Sequence, residues 1–444
     1  MNPFDQPRRA SERRPRLCLL TETYYPVVGG GESQARAMAA DLGARGLGVI
    51  VITRRSSRAL PPVEHFEGST IYRVRPAGRG GSKRWAMLLT ALPALLAHAG
   101  KYDVIYVSGF KALGVSAVLA SKLLRKPCIL KADSNGEMSG AFFAGGLRKL
   151  RMTPASPAFR LLLAARNRIL LHADAFVALS ETIAQELVHA GVPAARIVKL
   201  PNGVDTRRFA PVGLATKAKL RGRLGLPPEG RIVTFTGRLV AYKGLSTLLL
   251  AWRRIAAERR GATLLLVGAG GLDINNCEAE LREYVVAQGL EGSVRFTGDV
   301  RNVHEYLQAS DCFAFPTEKE AFGLSLVEAM ACGLPAVTTL TGGIAEFVTP
   351  GQNALAIAPG DADGLYEALR RLMDEPELAV ALGQAALATA RSRYDQELVI
   401  GGYVELVTGL AHGGAGGTGR GRGAPGKARR AEMDPGTCRP APPP

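Results

Sequence analysis

The sequence predicts an α/β protein made of two doubly wound domains, each a parallel sheet with helices on both faces. Three observations carry this. Short apolar runs alternate with amphipathic helical patterns from Leu17 to Leu410. The chain opens as strand, glycine loop, helix and strand: Leu17–Thr21, Pro26–Gly31, Glu32–Arg45 and Val49–Thr53. A Pro201–Asp205 turn cluster and a Pro227–Pro228 break then separate two such series of similar size. At 444 residues there is enough chain for two full cores.

Residues 1–16 are rich in Arg and Pro and are expected to be disordered. The first domain is expected over 17–204. In the opening helix Ala35, Met38, Ala39 and Leu42 share one face, and Gly46 closes it. Further strands are expected at Ile71–Val74, Val104–Val107, Cys128–Lys131, Ala175–Leu179 and Ile197–Leu200. Helices fall between them at Trp85–Ala97, Leu113–Leu124, Ala158–Leu171 and Thr182–Ala190. The second domain, 205–394, begins with a charged helix, Thr216–Leu224. Its strands are expected at Ile232–Thr236, Thr263–Val267, Val294–Thr297, Cys312–Phe315 and Ala336–Thr339, and its closing helices at Asp361–Met373 and Pro376–Arg393. A terminal helix, 395–410, is followed by a Gly/Arg/Pro-rich tail, 411–444, to which no fold is assigned.

Hydrophobic residues make up 47% of the chain and charged residues 21%, ordinary values for a globular protein. The net charge is +17. Residues 1–16 hold five Arg against Asp5 and Glu12, and residues 413–444 hold five Arg and Lys427 against Glu432 and Asp434. The remaining +10 belongs to the body of the chain and suits anionic partners. The six cysteines, at 18, 128, 277, 312, 332 and 438, form no CxxC or Cys/His ligand spacing, so a reducing compartment and no structural zinc are expected. No signal peptide is read at the N-terminus. The longest apolar window, Ala86–Ala97, contains Pro93 and is too short to span a bilayer. With 6% aromatics and no aromatic–basic interleaving, nucleic acid is a poor partner despite the charge.

The chemistry concentrates in the second half. Arg238 and Lys243 leave one strand-to-helix loop, Thr236–Gly244, five positions apart. Two cations at a sheet's carboxyl edge suit a diphosphate, although a solvated basic loop has the same composition. Tyr242 stands where a Walker A loop needs glycine before its lysine. Gly268-Ala-Gly270-Gly271 lacks the third glycine of a dinucleotide fingerprint, since position 273 is Asp, and reads as a tight turn. The stretch Asp311–Val348 is strand, polar loop, helix and strand, with Gly323 opening the helix and Gly333 closing it. Its two carboxylates, Glu320 and Glu328, flank apolar residues. A carboxylate in that company needs a partner, and ligand hydroxyls are suitable ones.

Glu320-Ala-Phe-Gly-Leu-Ser-Leu-Val-Glu328, with Gly342-Gly343 and Glu346 after it, resembles the E-x7-E block of retaining GT-B glycosyltransferases of the family 4, or group 1, type. Pro26–Gly31, Pro201-Asn-Gly-Val-Asp205 and Gly237-Arg238…Lys243-Gly244 agree with that family in order. The resemblance spans about residues 17 to 350 and implies two Rossmann-like domains facing across a cleft. It implies that Arg238 and Lys243 hold the diphosphate of a nucleotide-sugar donor, such as a UDP- or GDP-hexose, helped by the amides of Phe322, Gly323, Leu324 and Ser325. It gives Glu320 the sugar hydroxyls, Glu328 the ribose hydroxyls and Val300 a place near the base, with Gly30 and Gly31 close to the diphosphate from the first domain. It implies no divalent metal, a front-side retaining reaction, and a glycan, small-molecule or lipid-linked acceptor. The terminal helix would cross back onto the first domain.

One departure stands out. Many relatives carry a His after the strand Val104–Val107, where this chain has Tyr106-Val-Ser108-Gly109. The next loop is Lys131-Ala-Asp133-Ser134-Asn135-Gly136-Glu137, so Asp133 and Ser134 are the candidate sugar contacts there, with an ordinary loop as the alternative. Lys83, Arg84 and Trp85, with Arg148, Lys149, Arg151, Arg160, Arg166 and Arg168, suggest a basic face for an anionic membrane, or simply a solvated surface. The expected place is the cytoplasm, including the inner membrane face. The competing function is a nucleotide-sugar epimerase or hydrolase on the same fold.

Overall fold

The computed structural model describes residues 14–413 except 28, 79–80, 144–152, 154 and 272, with the backbone alone at 81–85. The side chains of Lys83, Arg84 and Trp85, the cations Arg148, Lys149 and Arg151, and most of both tails lie outside the described residues.

The first sheet contains β1 (Arg16–Thr21), β2 (Gly48–Arg54), β3 (Val63–Phe66), β4 (Ser69–Val74), β5 (Val104–Ser108), β6 (Cys128–Ala132), β7 (Ala175–Ala178) and β8 (Ile197–Lys199). Its order is β3-β4-β2-β1-β5-β6-β7-β8, parallel throughout except for β3 against β4. The helices are α1 (Gly30–Ala44), α2 (Gly81–Ala97), α3 (Leu113–Leu124), α4 (Pro157–Leu170) and α5 (Glu181–His189). After α6 (Leu214–Arg223) the second sheet is built from β9 (Ile232–Thr236), β10 (Thr263–Val267), β11 (Val294–Gly298), β12 (Cys312–Phe315), β13 (Ala336–Thr339) and β14 (Leu355–Ile357), in the order β11-β10-β9-β12-β13-β14. Around it lie α7 (Leu245–Glu258), α8 (Glu278–Ala287), α9 (Val303–Ala309), α10 (Leu324–Ala331), α11 (Ala362–Asp374) and α12 (Pro376–Tyr394); α13 (Gln396–Gly413) ends the described chain.

The strands read as continuous apolar runs because both faces of each sheet are covered. In β1, Leu17 and Leu19 pack with Met38 and Leu42 of α1, while Cys18 and Leu20 join the core under α2 and α3. In β9, Val233 and Phe235 face Trp252 of α7, and Ile232 faces Leu220 of α6.

The strand order decides where a ligand can sit. In the second sheet the chain runs outward from β9 to β11, then returns to the other side of β9 as β12. The loops leaving β9 and β12 therefore start side by side at the carboxyl ends of the strands, the place where ligands sit in open α/β sheets. In the first sheet the same reversal lies between β1 and β5.

The two halves join at a double crossing. Val204 pairs with Asp395, its N–H donating to the Tyr394 carbonyl at 2.8 Å while Gln396 N–H donates to the Val204 carbonyl at 2.9 Å. A Cβ on Gly203 would lie 2.9 Å from Gln396 Cα. From there α13 lays Val399, Ile400, Tyr403 and Val407 on the first sheet's core.

Several local expectations change. β1 starts at Arg16, inside the segment expected to be disordered, because Asp103 takes its guanidinium at 2.8 and 3.0 Å and its backbone N–H at 2.9 Å. Gly30 and Gly31 are the first residues of α1 rather than loop. The edge strands β3 and β14 carry no clear pattern and were not expected. Arg166, assigned to a basic face, turns inward. It donates to the Lys111 carbonyl at 2.8 Å and lies over the rings of Phe110 and Phe143, and burial lowers its pKa to about 10. Arg160 and Arg168 stay exposed. Among the described residues no helix is long and apolar enough to cross a membrane.

Candidate active site

The β9–α7 and β12–α10 loops meet at the switch point of the second sheet. Gly244 (φ +68°) turns the first loop so tightly that a Cβ there would lie 2.0 Å from the Pro316 carbonyl oxygen. Glu318 N–H donates to the Tyr242 carbonyl at 2.9 Å and stitches the loops together. This contact places the Lys243 ammonium 2.5 Å from Glu320 Oε2, with the two side chains only 13% and 14% exposed. The other oxygen of Glu320 accepts the Ala321 N–H at 3.0 Å. Gly342 and Gly343 lie directly behind: a Cβ on Gly342 would be 1.8 Å from the Glu320 carbonyl oxygen.

The sequence reading separated these charges, giving the cations to a diphosphate and the carboxylates to hydroxyls. In the structure Lys243 and Glu320 form one ion pair. Arg238 is likewise engaged, with Asp273 and with the Tyr242 hydroxyl at 3.0 Å. Its side chain is 59% exposed, whereas Asp273 is nearly covered. The sequence noted Asp273 only as the residue that spoils a glycine fingerprint.

Gly323 (φ +100°) caps α10. The amides that follow, Leu324 and Ser325, are first-turn amides without intrahelical acceptors and add a positive helix end beside Lys243. The Phe322 side chain is core, packed on Phe347 and Tyr394 at 6.0 and 5.4 Å between ring centroids, so only its backbone is available to a ligand. Glu328 lies further along α10 and is half-buried. Burial raises its pKa to about 8, opposed by Arg208. Val300 packs against a separate apolar cluster with Leu220 and Val267, which contains none of these residues.

Across the gap, Gly30 approaches α10: a Cβ there would sit 3.9 Å from Leu324 Cδ2. Gly31 has nothing within 4 Å of such an atom. Asp133 is occupied by Lys131 at 2.9 Å and Ser108 at 2.8 Å. Ser134 and Asp133 donate their N–H groups to Glu137, a buried carboxyl whose pKa rises to about 7. Asn135 donates to the Glu320 carbonyl at 3.3 Å. The structure thus gathers Lys243, Glu320, Gly323–Ser325 and Gly30, with Arg238 and Glu328 on the same two loops and helix. Asn135, Glu137 and Asp273 were missed as functional candidates; their only signal is a polar side chain in a strand-exit loop. Among the described residues no group of three His, Cys, Asp or Glu side chains is placed to hold a metal ion.

Both halves of the chain resemble known proteins. The model of "Glycosyl transferases group 1" matches residues 216–389, and that of "Glycosyl transferase 4-like domain" matches 29–203. A GDP-mannose-dependent monoacylated alpha-(1-6)-phosphatidylinositol monomannoside mannosyltransferase of Corynebacterium glutamicum is 32% identical over 209 residues, 45% of this chain and 53% of that protein. The match therefore spans about half of that relative's length. D-inositol 3-phosphate glycosyltransferase 2 of Catenulispora acidiphila is 30% identical over 395 residues, 82% of this chain and 90% of the relative. The solved structure of Anabaena Alr3699/HepE in complex with UDP and glucose superposes with a TM-score of 0.71 at 22% identity, over 89% of this chain and 99% of that one.

Glu328 yields a pH test. Its folded pKa near 8 lies above the ordinary carboxylate value, so it is mostly protonated at pH 7 and becomes an anionic acceptor as pH rises. Ribose hydroxyls donate more strongly to the anion. Where Glu328 takes ribose hydroxyls, as the resemblance implies, calorimetric affinity for a UDP- or GDP-hexose should rise several-fold from pH 6.5 to 8.5 in wild type and stay flat in Glu328→Gln. An equal pH response in both would remove Glu328 from the ligand's contacts.

Proposed function

The chain belongs to the group 1 glycosyltransferases of GT-B fold, and on that premise we propose that it moves a hexosyl unit from a nucleotide sugar to a lipid-linked, polysaccharide or small-molecule acceptor, with retention and without a metal. The observation that carries this reading is the Lys243–Glu320 pair at the switch point, flanked by Arg238 and the amino end of α10. Residues 17–204 are then the acceptor side and 205–394 the donor side. The relatives are transferases, which does not favour an epimerase or hydrolase.

In this reading the donor's diphosphate draws Arg238 from Asp273 and Lys243 toward itself. The two cations and the helix amides stabilise the charge that develops as the sugar–phosphate bond breaks, a task for which a metal is otherwise used. The acceptor hydroxyl attacks the same face, and its proton passes to the leaving phosphate oxygen. Glu320 holds sugar hydroxyls. Val300 lies toward the base, and Gly30 and Gly31 toward the diphosphate. The relatives' names support an inositol-phosphate or lipid-linked acceptor.

A membrane-facing surface fits a lipid-linked acceptor. The helices α2, α3 and α4 lie side by side and expose Leu89, Leu123, Leu161 and Leu162, the last two at 74% and 68%, next to the exposed Arg160 and Arg168. Apolar side chains among cations suit an anionic lipid surface.

Three measurements test these readings. In a thermal-shift panel of UDP-, GDP- and ADP-sugars, one donor at a hundredfold excess over its Kd should stabilise wild type by about 2.7 kcal/mol and Glu320→Ala much less. Arg238→Ala should lower kcat about 10²–10³-fold while keeping the melting temperature, since the guanidinium is exposed. No shift with any donor contradicts the assignment. For the membrane surface, vesicles containing anionic lipid should sediment wild type and not a Leu161→Glu, Leu162→Glu variant; equal behaviour of the two refutes it.

A further inference from the structure

Strand β6 leaves the first sheet into the segment 133–139, whose amides are taken by two carboxylates. Glu137 accepts the N–H groups of Asp133 (3.0 Å), Ser134 (3.1 Å) and Lys111 (3.1 Å). Glu186, on α5, accepts those of Gly136 (2.7 Å), Met138 (2.9 Å) and Ser139 (2.9 Å). A loop whose amides are bound in this way is fixed to its helix, since each charge-assisted bond is stronger than a neutral one. Loss of these bonds would leave Glu137, which is buried, without partners.

The tip of the loop is Asn135, which is exposed. Its side-chain amide reaches the other half of the molecule and donates to the Glu320 carbonyl at 3.3 Å. That carbonyl is confined from behind by Gly342, where a Cβ would be 1.8 Å away. The same rigid unit makes a second contact. At the start of α5 the Glu181 N–H donates to the Glu346 carboxylate at 2.5 Å, and a Cβ on Gly343 would lie 3.1 Å from Ser180 Cβ. Loop 133–139 and α5, joined through Glu186, thus grip the second half at Glu320 and at Glu346.

We propose that this unit is the clasp that sets closure of the two halves, and that Asn135 is a positioning residue holding the Glu320 loop in its working place. The proposal rests on the reading of Glu320 as a donor-sugar contact. Nothing in it requires Asn135 to touch the sugar. It acts by fixing the backbone from which the Glu320 carboxylate projects, and by bringing the first half over the donor so that water is excluded.

The test uses full-length enzyme and an isosteric change. Asn135→Asp keeps the shape but, ionised at neutral pH, cannot donate to a carbonyl, and Asn135→Ala removes the amide without adding a charge. Nucleotide release is followed with UDP-glucose, GDP-mannose and ADP-glucose in turn. Asn135→Asp and Asn135→Ala should each lower kcat about five- to tenfold, the size of one hydrogen bond, with donor KM within twofold and the melting temperature unchanged. Hydrogen exchange of the segment 318–325 should rise in both variants. Glu186→Ala should give the same loss of kcat, with no further loss when combined with Asn135→Asp. Asn135→Asp with wild-type kcat and wild-type exchange overturns the clasp. If Glu320→Ala also keeps wild-type turnover, it is the donor-site reading that has failed.

Discussion

The Lys243–Glu320 ion pair is the interaction on which the site depends. Each group alone would be a poorly solvated charge, and removing one partner of such a pair leaves the other stranded. Together they neutralise each other, and they hold the β9–α7 and β12–α10 loops together. Arg238 with Asp273 repeats the arrangement one step further out, where the cation is largely exposed. The site is therefore balanced, two cations against two carboxylates. On the proposed reading a diphosphate would compete for both cations and leave Glu320 to neutral hydroxyls.

Topology explains why these residues meet. The reversal of strand order between β9 and β12 places both loops at one crevice. The glycines are consequences of that crowding. Gly244 and Gly342 stand where a Cβ would run into the carbonyl of Pro316 or Glu320, and Gly323 supplies the left-handed turn that starts α10. The first half supplies less chemistry than geometry. Gly30 lets α1 approach Leu324, and Asn135 reaches the Glu320 backbone from a loop held by Glu137 and Glu186.

Much of the fold was legible because buried parallel strands leave an unambiguous mark. Ile232–Thr236, Thr263–Val267, Cys312–Phe315 and Ala336–Thr339 are apolar runs bounded by Gly, Pro or charge, and the strands coincide with them. Val63–Phe66 and Leu355–Ile357 were illegible because short edge strands, partly exposed, have neither a continuous run nor a full alternation. At the site, residues within one motif were legible as a set. Their partners were not. Arg238 finds Asp273 across 35 positions and Asn135 finds Glu320 across 185, and such pairings follow from strand order rather than local pattern. The inward turn of Arg166 was hidden for the same reason, since Phe110 and Phe143 come from other elements.

On the proposed reading Lys243 and Glu320 work as one unit, first with each other and then on the two ends of the donor's scissile bond. A double-mutant cycle on kcat/KM with Lys243→Ala, Glu320→Gln and the combined variant measures their coupling. Strong non-additivity is expected, the double variant losing little more than the worse single variant. Losses that simply add would show two independent residues and contradict it.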